Sequence, residues 1–71
     1  MTPNQFERSC QILYGDNWRN PVASDFDISL RTVQRYDAGD SEVPKWLRME
    51  LLNLLNAHVD MALDLIEELE E

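Results

Sequence analysis

The side chains with the most distinctive chemistry in this sequence are two arginines four residues apart, Arg31 and Arg35. On a helix, residues four apart project from the same face. Each guanidinium group can donate two hydrogen bonds to the O6 and N7 atoms of guanine, a pairing worth about 1 to 3 kcal/mol of discrimination between bases. If a helix carries these residues, the spacing therefore favours a surface that reads base edges in a DNA major groove.

Residues suited to catalysis or to metal binding are few. His58 and Cys10 are the single histidine and the single cysteine and lie far apart in the sequence, so neither a metal site nor a nucleophile with its base is indicated. We expect Cys10 to be a small buried hydrophobe and His58 to lie in an interface or to be partly buried. The spacing of Asp60, Asp64 and Glu67 is typical of a solvated helix face. No glycine-rich phosphate loop is present, and we expect neither enzymatic activity nor a cofactor.

Length, composition and charge restrict the class of protein further. With 71 residues, 44% of them apolar, the chain can form one small core, either alone or completed by a partner subunit. The lone cysteine, the absence of a signal sequence and the absence of an apolar run near 20 residues predict a cytoplasmic protein without membrane contact. A net charge of -8 argues at first against nucleic acid. The charge is uneven, however, because residues 56–71 hold six acidic residues and no basic one.

Capping residues, prolines and glycines predict a compact all-α bundle of about four to five helices. No segment alternates apolar and polar residues for long enough to form a sheet. A first helix begins with Thr2 as its N-cap and Pro3 in its first turn, and it ends at Gly15. Its predicted buried stripe, spaced i, i+4 and i+7, consists of Phe6, Cys10 and Leu13.

The second helix covers about residues 18–26, and the sequence leaves its first residue open. The pair Asn20-Pro21 is typical of an N-cap followed by a first-turn proline, whereas Asp16 or Asn17 could cap the helix one turn earlier. In both cases Pro21 lies within the first turn, where a missing amide costs little.

Residues 19–39 join two short helices through a tight turn at Asp27. The third helix, about nine residues long, begins after Ser29, whose hydroxyl can accept from first-turn amides, and ends at Gly39. Ala23 must be small because the two helices cross there. The apolar residues shared by the pair are Val22, Ala23, Phe26, Ile28, Val33 and Tyr36. Their spacing is the pattern of a helix-turn-helix.

This region resembles the helix-turn-helix of the Cro and lambda-repressor family, in the broad XRE-like group. The resemblance covers about residues 17–55 and rests on residues 28–36, Ile-Ser-Leu-Arg-Thr-Val-Gln-Arg-Tyr, which are similar to the family's recognition helix. Asp27 departs from the family's turn glycine, but aspartate tolerates positive φ better than most residues. In size and layout the chain is also similar to small phage repressors and to anti-CRISPR-associated regulators, which repress their own operons.

The resemblance implies a homodimeric, autoregulatory transcriptional repressor that binds an inverted repeat in double-stranded DNA. By analogy the base-contacting residues are Leu30, Arg31, Thr32, Gln34 and Arg35. The expected phosphate-contacting residues are Asn17, Arg19, Ser29, Lys45 and Arg48. The alternative is an acidic helical protein-interaction module, an antirepressor or inhibitor that does not bind DNA and uses its negative surface against a basic partner.

The last helix is predicted to open at Pro44, after a loop at residues 40–43, and to meet no glycine or proline before the end of the chain. If continuous it is about 40 Å long, so it either bends near residues 53–56 and folds back or projects toward another subunit. We expect Trp46 to pack against the first helix or the partner.

Two apolar seams run along this last helix. The first comprises Leu47, Leu51, Leu54, His58, Met61 and Leu65. The second, the expected dimer interface, comprises Leu52, Leu55, Val59, Ala62, Ile66 and Leu69. We therefore divide the chain into a DNA-binding domain, residues 1–55, and an acidic helical extension for dimerisation, residues 56–71.

Overall fold

The computed structural model describes all 71 residues and contains four helices: α1 (Pro3–Tyr14), α2 (Arg19–Asp25), α3 (Leu30–Ala38) and α4 (Lys45–Glu70). No residue is in a strand, so the predicted all-α fold with a long C-terminal helix is confirmed. Helix α1 packs against each of the other three helices, and α2 packs against α3. The first helix is therefore the centre of the bundle.

The ends of α1 and α3 follow the local signals in the sequence. The Thr2 hydroxyl accepts from the Gln5 amide at 3.1 Å, and the Gln5 side chain accepts from the Thr2 amide at 2.9 Å. This reciprocal pair is a capping box. The Ser29 hydroxyl accepts from the Thr32 amide at 3.1 Å, and α3 ends at Gly39 with a left-handed φ of 82°. The predicted limits of both helices are confirmed.

The start of α2 differs from the prediction. Its N-cap position is Trp18, and no side chain caps the helix. None of the three candidate caps is used; they are Asp16, Asn17 and Asn20. Trp18 is completely buried, and the apolar free energy of burying an indole exceeds the ~1 kcal/mol that a polar cap contributes. Pro21 does lie in the first turn of α2, as predicted.

Seven side chains form the fully buried core: Phe6, Cys10, Trp18, Val22, Val33, Leu47 and Leu51. The ring of Phe6 meets the rings of Trp18 and Tyr36 edge-on, with centroids 5.5 and 5.7 Å apart. The other apolar residues predicted between α2 and α3 are partly buried against this core, as is Leu13. Sequence analysis did not identify Trp18 as a core residue, although it is the largest one.

The turn between α2 and α3 has the conformation expected at Asp27. That residue has a φ of 53° and is the single non-glycine residue with positive φ. Across the turn, the Ile28 amide donates to the Ala23 carbonyl at 3.0 Å. Aspartate therefore fills a position at which the left-handed conformation favours glycine.

Helix α4 is uninterrupted from Lys45 to Glu70, so the alternative in which it breaks near residues 53–56 and folds back is wrong. Leu51 is its last fully buried residue, Leu55 is half-buried, and every residue from 56 to 71 is exposed. The molecule measures 47 Å along its long axis and 21 by 20 Å across. The second half of α4 therefore projects from a body formed by the rest of the chain.

The fold tests one part of the expectation for each of two α4 side chains. The Trp46 ring lies next to the Phe26 ring, with centroids 6.4 Å apart, because Trp46 precedes the buried Leu47 by one residue and points to a different side of the helix. Trp46 is 49% exposed, so its packing against a partner stays a prediction. His58 is exposed in the single chain because it lies beyond the part of α4 that the body covers, and its place in an interface also stays a prediction. None of the four helices is long and apolar enough to cross a bilayer.

Candidate nucleic-acid interface

The outer face of α3 brings three of the predicted base-contacting residues together. Arg31, Gln34 and Arg35 line one shallow surface depression, which Ala38 and Asp40 complete. The opposite face of the helix holds the buried Val33 and the half-buried Tyr36, which anchor it to the core. The long donors of α3 therefore point outward because its apolar residues fix the opposite side.

Leu30 and Thr32 lie on the two flanks of this face. Successive residues of a helix are about 100° apart, so Leu30 and Thr32 lie slightly more than a quarter turn from Arg31, one on each side. Leu30 is 39% exposed, and Thr32 is half-buried with its hydroxyl 2.8 Å from that of Ser29. Both hydroxyls in the cap therefore already have a partner in the protein.

The guanidinium groups of Arg31 and Arg35 form no ion pair within the protein. The single ion pair of the chain joins Arg19 to Asp37. Both α3 arginines are exposed, and the nearest acidic side chain of the depression is Asp40 at its rim. These two cations are therefore free to bind an external acceptor.

Arg19 plays an internal structural part that sequence analysis did not predict. Its Nε and Nη2 groups donate to Asp37 Oδ2 at 3.2 and 2.7 Å, and its guanidinium carbon lies 4.6 Å from the centroid of the Trp18 ring. These contacts join the first turn of α2 to the last turn of α3. Nη1 has no hydrogen-bond partner within the protein and remains the group with which Arg19 can contact a phosphate.

Asp37 is the residue of this site that sequence analysis missed, and a signal for it exists. It follows Val33 by four residues and therefore shares the buried face of α3. A carboxylate on a buried face requires a compensating donor. Its side chain is 16% exposed and accepts both bonds from Arg19.

The other predicted phosphate contacts fall in two separate places. Asn17 and Arg19 border a small polar hollow together with Asp16 and Asn20, at the start of α2. Lys45 and Arg48 are exposed on the first turn of α4, and no helix contact joins α4 to α3. The fold thus groups the base-reading candidates but leaves the phosphate candidates distributed over the body.

The residues predicted to form a dimer interface are all accessible on the projecting helix. Leu52, Val59 and Ile66 are each about half exposed, at 47%, 54% and 47%. Ala62 and Leu69 are also exposed, whereas Leu55 is half-buried. A single copy of the chain therefore leaves a broad apolar surface on α4 in contact with water.

The thiol of Cys10 is enclosed by the core. Burial raises its pKa from 9.0 to about 12, and the negative charge of Asp37 adds to the increase. A protonated, inaccessible thiol is a poor nucleophile and a poor metal ligand. No group of three or more histidine, cysteine, aspartate or glutamate side chains lies close enough together to hold a metal ion.

Comparisons with protein-family models, with curated proteins and with solved structures return no match for this chain. The functional proposal therefore depends on the geometry and charge of α3 and α4.

Proposed function

We propose that this chain is a sequence-specific DNA-binding protein that inserts α3 into the major groove and represses transcription as a homodimer on an inverted repeat. The observation that carries the proposal is the outer face of α3, where Arg31 and Arg35 are exposed, unpaired and on one side of the helix. Two bidentate arginines at this spacing match guanines in a major groove, and Gln34 between them matches adenine.

The way in which α3 is held supports the proposal. A reading helix discriminates between bases only if its side chains start from a defined position, because disorder costs binding free energy. Val33 is completely buried, and the bonds from Arg19 to Asp37 fasten the end of the helix. The outward residues of α3 are thus presented by a helix fixed at its base.

The distribution of charge supports specific rather than general binding. Residues 56–71 account for six of the eight units of net negative charge and lie on the half of α4 that projects from the body. Repulsion between this end and phosphate orients the body toward the duplex. Because the attraction of the whole chain to DNA phosphate is weak, more of the discrimination between DNA sequences must come from base contacts.

The same proposal includes the type of repressor to which the chain is assigned. This assignment rests on the resemblance of residues 28–36 to the recognition helix of the Cro and lambda-repressor family. On this assignment, the chain is a small repressor of phage or mobile-element origin, comparable to anti-CRISPR-associated regulators, that acts on its own promoter. The rival is the acidic interaction module, which the exposed carboxylates of α4 favour.

Selection from a random pool of duplex DNA separates these two functions. A base-reading protein enriches a defined sequence, and the proposal predicts two half-sites in inverted orientation with G·C pairs in each. The matched control is the same selection with an Arg31→Ala/Arg35→Ala variant, whose fold should be intact because both side chains are exposed. Failure of the native chain to enrich any sequence would favour the acidic module.

A further inference from the structure

We propose that α4 pairs antiparallel with α4 of a second copy, and that the pairing is centred on Val59 and runs from Arg48 to Glu70. This inference rests on the homodimer of the proposed function. It adds the direction, the register and the end contacts of the interface, none of which follows from the existence of a dimer alone.

One longitudinal stripe of α4 carries the proposal, and we call it the α4 seam. At about 100° per residue, its members fall within roughly 80° of the helix circumference. They are Arg48, Leu52, Leu55, Val59, Ala62, Ile66 and Glu70. The seam is thus apolar along its length, basic at its first residue and acidic at its last.

The direction of pairing follows from these end charges. Arg48 and Glu70 each lie eleven residues from Val59, and Leu52 and Ile66 each lie seven residues from it. An antiparallel pair centred on Val59 therefore sets Arg48 opposite the partner's Glu70 at both ends. Between the ends and the centre, Leu52 lies opposite the partner's Ile66. Opposite charges flanking an apolar helix seam favour the orientation that brings them together.

A parallel pair has the opposite electrostatics. It sets Arg48 against the partner's Arg48 and Glu70 against the partner's Glu70. It also aligns the two segments 56–71, each with six acidic residues and no basic one, along their whole length. Like charges at such short range repel, and no basic residue lies within either segment to offset them.

The position of the body on α4 agrees with an antiparallel pair that binds one duplex. The buried Leu47 and Leu51 face α1, and their mean direction is about 80° around the helix from the seam. The two-fold axis of two antiparallel helices is perpendicular to the plane that contains both. Groups that project about a quarter turn from the seam therefore lie on the same side of the pair in both copies.

The spacing between the two bodies is also suitable. Leu51 and Leu47 lie eight and twelve residues from Val59, so the points at which the two bodies attach to the helix pair are about 24 to 36 Å apart along it at 1.5 Å per residue. Reading helices that enter successive major grooves are separated by about 34 Å. Arg48 is expected from the sequence to contact phosphate, but in this arrangement it contacts the second copy. Of the two basic residues in the first turn of α4, Lys45 then remains available to contact DNA phosphate.

Disulfide cross-linking without DNA tests the register. Leu52→Cys, Val59→Cys and Ile66→Cys each change an exposed residue of α4 that is outside the core, so the body should keep its fold. We expect Val59→Cys to cross-link with itself. Leu52→Cys alone and Ile66→Cys alone should not cross-link. In the antiparallel pair each of these cysteines is displaced by fourteen residues, about 21 Å along the helices, from the same cysteine in the second copy. A mixture of the last two, one carrying a size tag, should give the mixed dimer.

The native chain is the negative control, since its Cys10 is buried. Self-cross-linking of both Leu52→Cys and Ile66→Cys would establish a parallel pair and overturn the proposal. Absence of every cross-link, with a monomer in sedimentation, would overturn it as well and would leave the seam to another protein. Because no DNA is present, these outcomes are independent of base reading by α3.

Charge exchange tests the end contacts. Arg48→Glu alone and Glu70→Arg alone should each weaken the dimer by about 2- to 30-fold, the range of two exposed ion pairs, because each change breaks the contact at both ends. The double variant should restore native affinity in sedimentation equilibrium. A double variant as weak as the singles would contradict the antiparallel register, because only that register pairs the two exchanged residues.

Discussion

Arg19 and Asp37 fasten α2 to α3 through a single carboxylate oxygen, which accepts from Nε at 3.2 Å and from Nη2 at 2.7 Å. The two residues are eighteen positions apart, and the Arg19 guanidinium also covers the ring of the buried Trp18. This contact connects the packing of the core with the position of α3.

The ion pair should contribute modestly to stability, because the Arg19 side chain is 43% exposed. We expect Asp37→Asn to lower the free energy of unfolding by about 1 kcal/mol in a urea titration. Arg19→Ala should cost more, since it also loses packing on Trp18. In a double-mutant cycle the two changes should be non-additive, whereas Arg19→Ala combined with Asp64→Asn on the projecting helix should be additive. Additivity of the first pair would show that the contact carries no coupling energy.

Lys45 and Arg48 should differ in their effect on salt dependence. The logarithm of DNA affinity falls with the logarithm of salt concentration by about 0.9 for each phosphate neutralised. Lys45→Ala should reduce that slope by about one unit per contacting subunit. Arg48→Ala should leave the slope nearly unchanged and weaken the dimer in sedimentation. A reduced slope for Arg48→Ala would return that residue to the phosphate contacts.

Cys10 should be inert in the folded chain. We expect no reaction with a disulfide reagent at pH 8, and full reaction after unfolding in urea, because burial both shields the thiol and keeps it protonated. Rapid reaction of the folded chain would show that the α1 packing opens.

The same thiol predicts a loss of stability at alkaline pH. The folded state keeps the proton until about pH 12, while an unfolded thiol with the ordinary pKa of 9.0 releases it. Stability should therefore decline as the pH rises from 9 toward 12. Burial also raises the pKa of Tyr14 to about 12, so the comparison of Cys10 with Cys10→Ala is best made in a Tyr14→Phe background. An equal decline in both chains would assign the effect to other groups.

A chain cut after Asn56 should fold but not dimerise. All seven core residues lie at or before Leu51, so the helical body keeps its packing, while most of the α4 seam is removed. Circular dichroism should report a cooperative thermal transition, and sedimentation should report a monomer at concentrations where the full chain is a dimer. A dimer of unchanged strength would move the interface to the body.

Local features of the fold could be predicted from the sequence because each depends on a few neighbouring residues. The caps at Thr2 and Ser29, the left-handed Gly39 and the turn at Asp27 are of this kind. Burial of Trp18 could not be predicted from its polar neighbours, because it depends on rings contributed by other helices.

The candidate site shows the same division. That Arg31 and Arg35 share one face follows from their spacing, and the structure agrees. The ion pair between Arg19 and Asp37 joins two helices. In the sequence, the one indication of this ion pair is that an acidic residue, Asp37, lies on the buried face of α3. The contact of Trp46 with Phe26 likewise depends on where α4 crosses the body.

Binding of Arg31→Ala and Arg35→Ala to the DNA selected by the native chain tests the central claim most directly. Fluorescence anisotropy at fixed salt should show a loss of about 5- to 150-fold per half-site for each variant, the range that corresponds to one bidentate guanine contact, and the homodimer loses that contact in both half-sites. Arg8→Ala, which removes another exposed and unpaired arginine, is the matched control and should bind almost as the native chain does. Equal affinity of all three variants and the native chain would contradict base reading by α3.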